Sequence, residues 1–159
     1  MTKPVLILGF GNPSRGDDAV GPLLIEFLAQ HAESSAIELI TDFQLQIEHA
    51  LDLQNRQLVL FMDASVNAAA ELCFQRIRPA KDPSYSSHAL SPVALLDVYH
   101  TITGQQPPPS FLLTLKAEQF ELGSGLSAAM QNRFQTACEF VTQLLGQPQL
   151  QVWQQRAIH

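Results

Sequence analysis

Pro4-Val5-Leu6-Ile7-Leu8-Gly9-Phe10-Gly11-Asn12-Pro13-Ser14-Arg15-Gly16-Asp17-Asp18-Ala19-Val20-Gly21 opens the chain with an apolar run cut off by glycines. A continuous run such as Pro4 to Gly9 is the pattern of a strand buried on both faces. From Ala19 to Gln30, the residues Val20, Leu23, Leu24, Phe27 and Leu28 recur at helical spacing and predict an amphipathic helix. Strand, glycine-rich loop and helix in that order begin an α/β unit.

The same alternation continues outward. Strands are expected at Ile37–Thr41, at Gln57–Met62 with its end at Asp63, at Leu72–Ile77 on an edge, and at Phe111–Leu115. Helices are expected at Ile47–Leu53, from Pro92 to about Thr103 with Ser91 as cap, and after Ser127. In the last of these, Met130, Phe134, Cys138, Val141 and Leu145 form the apolar stripe. The predicted architecture is a three-layer αβα sandwich around a mostly parallel, twisted sheet of about five strands. One domain spans residues 1–146, and 147–159 is a Gln-rich tail whose order the sequence leaves open.

Bulk properties narrow the function. A net charge of −6 argues against nucleic acid or an anionic membrane as partner, since both select a basic face. Cys73 and Cys138 lie far apart and outside any CxxC pattern, which predicts two free thiols rather than a disulfide or zinc knot. No signal-peptide pattern and no membrane-length apolar run is present, so a cytoplasmic location is expected. A monomer is expected as well.

In a parallel sheet, ligands bind beyond the carboxyl ends of the strands, so the loop after the first strand comes first. A dinucleotide fingerprint needs a third glycine where this chain has Ser14. A P-loop needs Lys and Ser/Thr where it has Asp17 and Asp18, and two carboxylates repel the phosphate that a helix start attracts. Capping of the following helix is the plain reading of one of them. The sharper reading takes Asp18, Asp63 and His88 together, because all three are expected on the same rim of the sheet. Two oxygen donors and an imidazole suit a borderline divalent metal such as zinc or nickel, with positions left open. His31, His49, His100 and His159 read as solvated or structural. Ser14, Ser65 and Ser87 lack the Gly-x-Ser-x-Gly elbow, the two cysteines lie off the rim, and the helical His-Glu-x-x-His motif is absent.

The segment from Leu6 to Leu24, with Gly9-Phe10-Gly11-Asn12 and Asp17-Asp18-Ala19-Val20-Gly21, closely resembles the opening of the hydrogenase maturation proteases. The resemblance continues at Leu58-Val59-Leu60-Phe61-Met62-Asp63-Ala64, at Ser87-His88-Ala89-Leu90-Ser91 and at Gly125-Leu126-Ser127. It implies an endopeptidase that removes the C-terminal extension of a [NiFe]-hydrogenase large subunit after nickel insertion. Asp18, Asp63 and His88 then stand at the family's metal-binding and catalytic positions. The metal implied is the substrate's nickel, or zinc or cadmium as substitutes in vitro, with no organic cofactor; the partner implied is the large-subunit precursor. The chain departs from the family after the second strand, where Asp42-Phe43-Gln44-Leu45-Gln46-Ile47-Glu48 replaces an Asp-Gly-Gly-Thr type of sequence. The rival reading is a nickel-sensing chaperone of the large subunit that does not cut.

Overall fold

A computed structural model describes residues 2–32, 35–81 and 90–158 of the chain. Five strands form one sheet in the order β2-β1-β3-β5-β4, with β1 at Val5–Phe10, β2 at Ile37–Asp42, β3 at Leu58–Ser65, β4 at Leu72–Ile77 and β5 at Ser110–Lys116. Four run parallel, and β4 pairs antiparallel with β5 at one edge. The helices are α1 (Val20–His31), α2 (His49–Asp52), α3 (Pro92–Thr103), α4 (Ala128–Gly146) and α5 (Leu150–Arg156).

Strand alternation sorts the core into two halves. Val5 and Ile7 of β1 and Leu58, Leu60 and Met62 of β3 meet α1, α4 and α5 on one face. Leu6, Leu8 and Phe10, with Val59 and Phe61, meet α2 and α3 on the other. Every residue of β1 is buried, as expected of a central strand covered on both sides. The expected αβα sandwich is the observed one.

Two helix starts follow the sequence closely. Ser91 accepts from Ala94 N–H at 3.1 Å with Pro92 behind it, and Gly104 closes α3 in the left-handed conformation at φ +70°. Ser127 accepts from Met130 N–H at 3.2 Å and starts α4. In α4 the buried stripe is Met130, Ala137, Cys138, Val141 and Leu144 around Arg133, while Phe134 and Leu145 are only partly buried.

Two elements differ from expectation. The helix expected over Ile47–Leu53 is a single turn, His49–Asp52. The imidazole of His49 replaces helical bonding at its start: Nδ1 accepts from Gln46 N–H at 2.8 Å, and Nε2 lies 3.5 Å from the Asp42 carboxylate. The strand expected to stop at Asp63 runs on to Ser65, because Asp63, Ala64 and Ser65 keep pairing with Thr114, Leu115 and Lys116. The apolar run ends before the ladder does.

The tail is ordered through Ile158. Trp153 of α5 is fully buried edge-on against the stacked rings of Phe74 and Phe111, and its Nε1–H donates to Leu144 O at 3.0 Å. Ile158 N–H then donates to Phe74 O at 2.9 Å, so the chain covers the outer edge of β4 with its own end. Among the described residues no helix is long and apolar enough to cross a membrane.

Candidate active site

The sheet order puts β2 on one side of β1 and β3 on the other, so successive crossovers leave β1 in opposite directions. The crevice of such a sheet opens at that switch, beyond the carboxyl ends of β1 and β3. Asp18 and Asp63 stand there.

Close backbone packing brings the Asp18 loop into place. A Cβ on Gly21 in the first turn of α1 would lie 2.5 Å from Phe10 O, so only glycine lets α1 approach β1 this closely. Gly11, at φ +148°, passes so near the Asp18 carbonyl that a side chain there has no room. Between them Gly16–Ala19 forms a 3-10 turn against the end of β3. Asp18 Oδ2 accepts from Asn12 N–H at 2.7 Å, while no described residue donates to its Oδ1.

Asp63 is held by strand pairing. It follows Met62 and precedes Ala64, which face α1 and α4, so its own side chain leaves the sheet on the side of α2 and α3. Asp63 Oδ1 accepts from Ala64 N–H at 2.8 Å, and Oδ2 accepts from no described residue. Burial pushes the Asp63 carboxyl up to about 7, the Ala64 N–H opposes this, and the charge of Asp18 adds to it. Asp18 is raised too, by burial, against the pull of Asn12 N–H and of the Arg15 charge. The two carboxyls are therefore desolvated, and each has one oxygen that no described residue engages.

The third expected residue, His88, lies outside the described residues. Among the described residues no three His, Cys, Asp or Glu side chains gather to hold a metal ion. Among the described residues, the donors at this rim are the pair of carboxylates.

Sequence reading missed Asp17. It is fully buried and caps neither its own turn nor α1. Its carboxylate accepts from Glu118 N–H (2.8 Å), Gln119 N–H (3.4 Å), Ser127 N–H (2.7 Å) and Ser127 Oγ–H (2.8 Å). Burial raises its pKa, but these four donors outweigh burial and hold it below the ordinary range. Of the Asp-Asp pair, one acid anchors the loop and the other faces the crevice. Nothing in local spacing marks the difference, because the partners of Asp17 lie 101 to 110 residues away.

Ser87 and His159 lie outside the described residues; the expectations for the other histidines and the cysteines fit their surroundings. His31 Nδ1 and His100 Nδ1 engage the carbonyls of Phe27 and Gln105, and His49 braces the loop after β2. Both cysteines are free, and burial pushes the Cys138 thiol up to about 11, far from a nucleophilic thiolate at neutral pH.

Comparison with known proteins gives the same direction. No family model matches the chain. Hydrogenase 2 maturation protease of Escherichia coli strain K12 is 26% identical over 163 residues, spanning 98% of either chain. The [NiFe] hydrogenase maturation protease HycI of Thermococcus kodakarensis KOD1 superposes with a TM-score of 0.70 at 22% identity, over 91% of this chain and 93% of that one. The hydrogenase maturating endopeptidase HybD of E. coli superposes at 0.71 and 23% identity, over 88% and 91%. The chain is thus similar along its whole length to one hydrogenase maturation protease and shares the fold of two others.

Proposed function

We propose that the protein is an endopeptidase that removes the C-terminal extension of a [NiFe]-hydrogenase large-subunit precursor once nickel is in place. Asp18, Asp63 and His88 complete the coordination of the substrate's nickel and so make cleavage depend on a loaded metal. The observation that carries this reading is the pair Asp18 and Asp63, each fixed through one oxygen and each with the other unengaged by any described residue. Burial raises both pKa values, so each carboxyl holds a proton more readily than a free one, and an arriving cation favours its release. Oxygen and nitrogen donors fill positions that thiolates leave open on nickel.

Hydrolysis of the peptide bond adds water across C–N: hydroxide joins the carbonyl carbon, and the leaving nitrogen takes a proton. Asp63, poised near neutrality, is suited to take the proton from the attacking water and return it to the amine. Nickel borne by the substrate lowers the cost of negative charge on the carbonyl oxygen or on the water. A carboxylate dyad sharing one proton is the alternative for the same pair if the two lie within about 3 Å, and it needs no metal for the proton transfers.

The test is to mix the purified protein with a cognate precursor, with and without nickel, and weigh the products. Loss of a C-terminal peptide from the nickel-loaded precursor alone is the expected result. A stable complex with unchanged mass would replace this reading by a chaperone that binds without cutting.

A further inference from the structure

The two edges of the sheet are treated differently. The outer edge of β4 is covered by Ile158, whereas among the described residues β2 pairs with β1 and with no other strand. In the β1–β2 ladder Ala36 O faces Val5 N–H and Asp42 O faces Gly11 N–H, so the even-numbered residues of β2 point at β1. Ile37, Leu39 and Thr41 therefore turn their N–H and C=O groups outward. Lys3 Nζ reaches Ile37 O at 3.3 Å, but among the described residues nothing bonds the backbone of Leu39 or Thr41.

Natural sheets blunt such an edge with lysine, proline, a bulge or a covering segment. β2 reads Ile-Glu-Leu-Ile-Thr-Asp, and both of its charges are already engaged. Glu38 pairs with Arg56 at 2.7 Å and Asp42 with His49. The strand then leads into a segment whose alternate side chains are divided. Leu45, Ala50 and Leu53 are buried, while Phe43, Ile47 and Leu51 are each more than 60% exposed. An open ladder followed by three exposed apolar side chains lies at the same end of the sheet as Asp18 and Asp63.

We infer that the edge of β2 and the apolar side chains of Phe43, Ile47 and Leu51 form the docking track for the extension that is cut off, bound as an added strand. Unpaired N–H and C=O groups in register recognise an extended peptide backbone, and flanking pockets select its alternate side chains. An added strand lies three strand spacings from β3, roughly 14 Å at ~4.8 Å each. About four extended residues span that distance. The scissile bond thus sits at Asp63 while residues beyond the fourth pair with Thr41 and then Leu39, running antiparallel to β2. Phe43, Ile47 and Leu51 favour apolar residues in the connecting stretch, and the exposed acid Glu48 favours basic over acidic ones. This assignment rests on the hydrolytic reading above.

Proline at an outward-facing edge position removes a donor to an incoming strand without touching the ladder behind it. Cleavage of nickel-loaded precursor is measured for wild type, Thr41→Pro and Thr41→Val, with melting curves alongside. Thr41→Pro is expected to raise KM about ten-fold or more, the loss of one or two good hydrogen bonds, with kcat within about two-fold. Thr41→Val keeps the amide and is expected to fall well below Thr41→Pro in KM. Should Thr41→Pro fail to fold, a precursor cut back to about three residues past the scissile bond reads the same contact, and its KM with wild type rises alike. Unchanged KM for folded Thr41→Pro, or for the shortened precursor, overturns the assignment. If wild type cleaves no precursor, the hydrolytic reading fails separately, and hydrogen exchange reads the edge directly. A peptide of the extension must then protect the Leu39 and Thr41 amides; free exchange of both overturns the track. Protection without peptide, together with dimer in sedimentation, assigns the edge to a second copy of the chain and overturns it too.

Discussion

Ser127 donates its hydroxyl to Asp17 at 2.8 Å and accepts from Met130 N–H at 3.2 Å, so one oxygen joins the loop after β1 to the start of α4. That bond, with three backbone N–H groups on the same carboxylate, fixes the loop that carries Asp18. The acid that shapes the crevice and the acid that faces it are neighbours in sequence, with opposite surroundings and opposite pKa shifts.

Replacing Asp17 by Ala strands four donors and is expected to cost about 2–4 kcal/mol, since hydrogen bonds to a charged group are the stronger ones. Ser127→Ala loses the α4 cap and one of those bonds, about 1–2 kcal/mol. In chemical denaturation the double variant is expected to cost less than the two single ones summed, because they remove a shared contact. Full additivity would show that the bond contributes nothing.

The pH dependence of stability follows from the same pair of environments. Asp17 has a depressed folded pKa, so its contribution is present above the unfolded value of about 3.8 and is lost as pH falls through the lower folded value. Asp63 has the opposite sign. Its folded pKa of about 7 favours the folded state below the unfolded value, and this advantage disappears as pH rises toward 7. Asp63→Asn is therefore expected to be more stable than wild type by a few kcal/mol at pH 8 and equal to it near pH 4. Melting curves across that range decide; a constant offset would refute the raised pKa.

The same variant is expected to stop processing of a nickel-loaded precursor, because Asn supplies neither a charged oxygen ligand nor a proton acceptor. Together the two results describe a side chain kept for chemistry at a cost in stability, as at many functional sites. Processing by Asp63→Asn at the wild-type rate would remove Asp63 from the mechanism.

Gly21→Ala drives a methyl group against the Phe10 backbone, 2.5 Å from its carbonyl oxygen. We expect a loss of about 2–3 kcal/mol, the upper part of the usual overpacking range, and a displaced Asp18. Gly104→Ala is the control: its Cβ meets open space, and only its φ of +70° opposes the change, for about 1 kcal/mol. Equal losses in urea would show that the close approach of α1 to β1 is not what the glycine provides.

Trp153→Ala leaves a cavity beside the stacked rings of Phe74 and Phe111 and is expected to cost about 3–5 kcal/mol, lowering Tm by roughly 10 °C. A small change on thermal melting would mean that α5 is an accessory to the core rather than part of it.

Much of this protein was legible in its residues because the deciding interactions are local or periodic. The buried run Val5–Phe10, the 3.6-residue stripe of α1, and the caps Ser91 and Ser127 each depend on neighbours within a turn or a strand. They determined the αβα class and brought Asp18 and Asp63 forward as residues at strand ends. What the sequence left open rests on long-range contacts. Asp63 lies within β3 because β5, some fifty residues later, continues the ladder past the last apolar residue. Asp17 is an anchor because Glu118, Gln119 and Ser127 donate to it from across the fold. Trp153 makes the polar tail part of the core, and among the described residues β2 keeps an open edge while β4 does not. Side-chain pattern sets which elements form and which face they bury; which carboxyl is desolvated, and which backbone groups stay unpaired, is decided only when distant segments take their places.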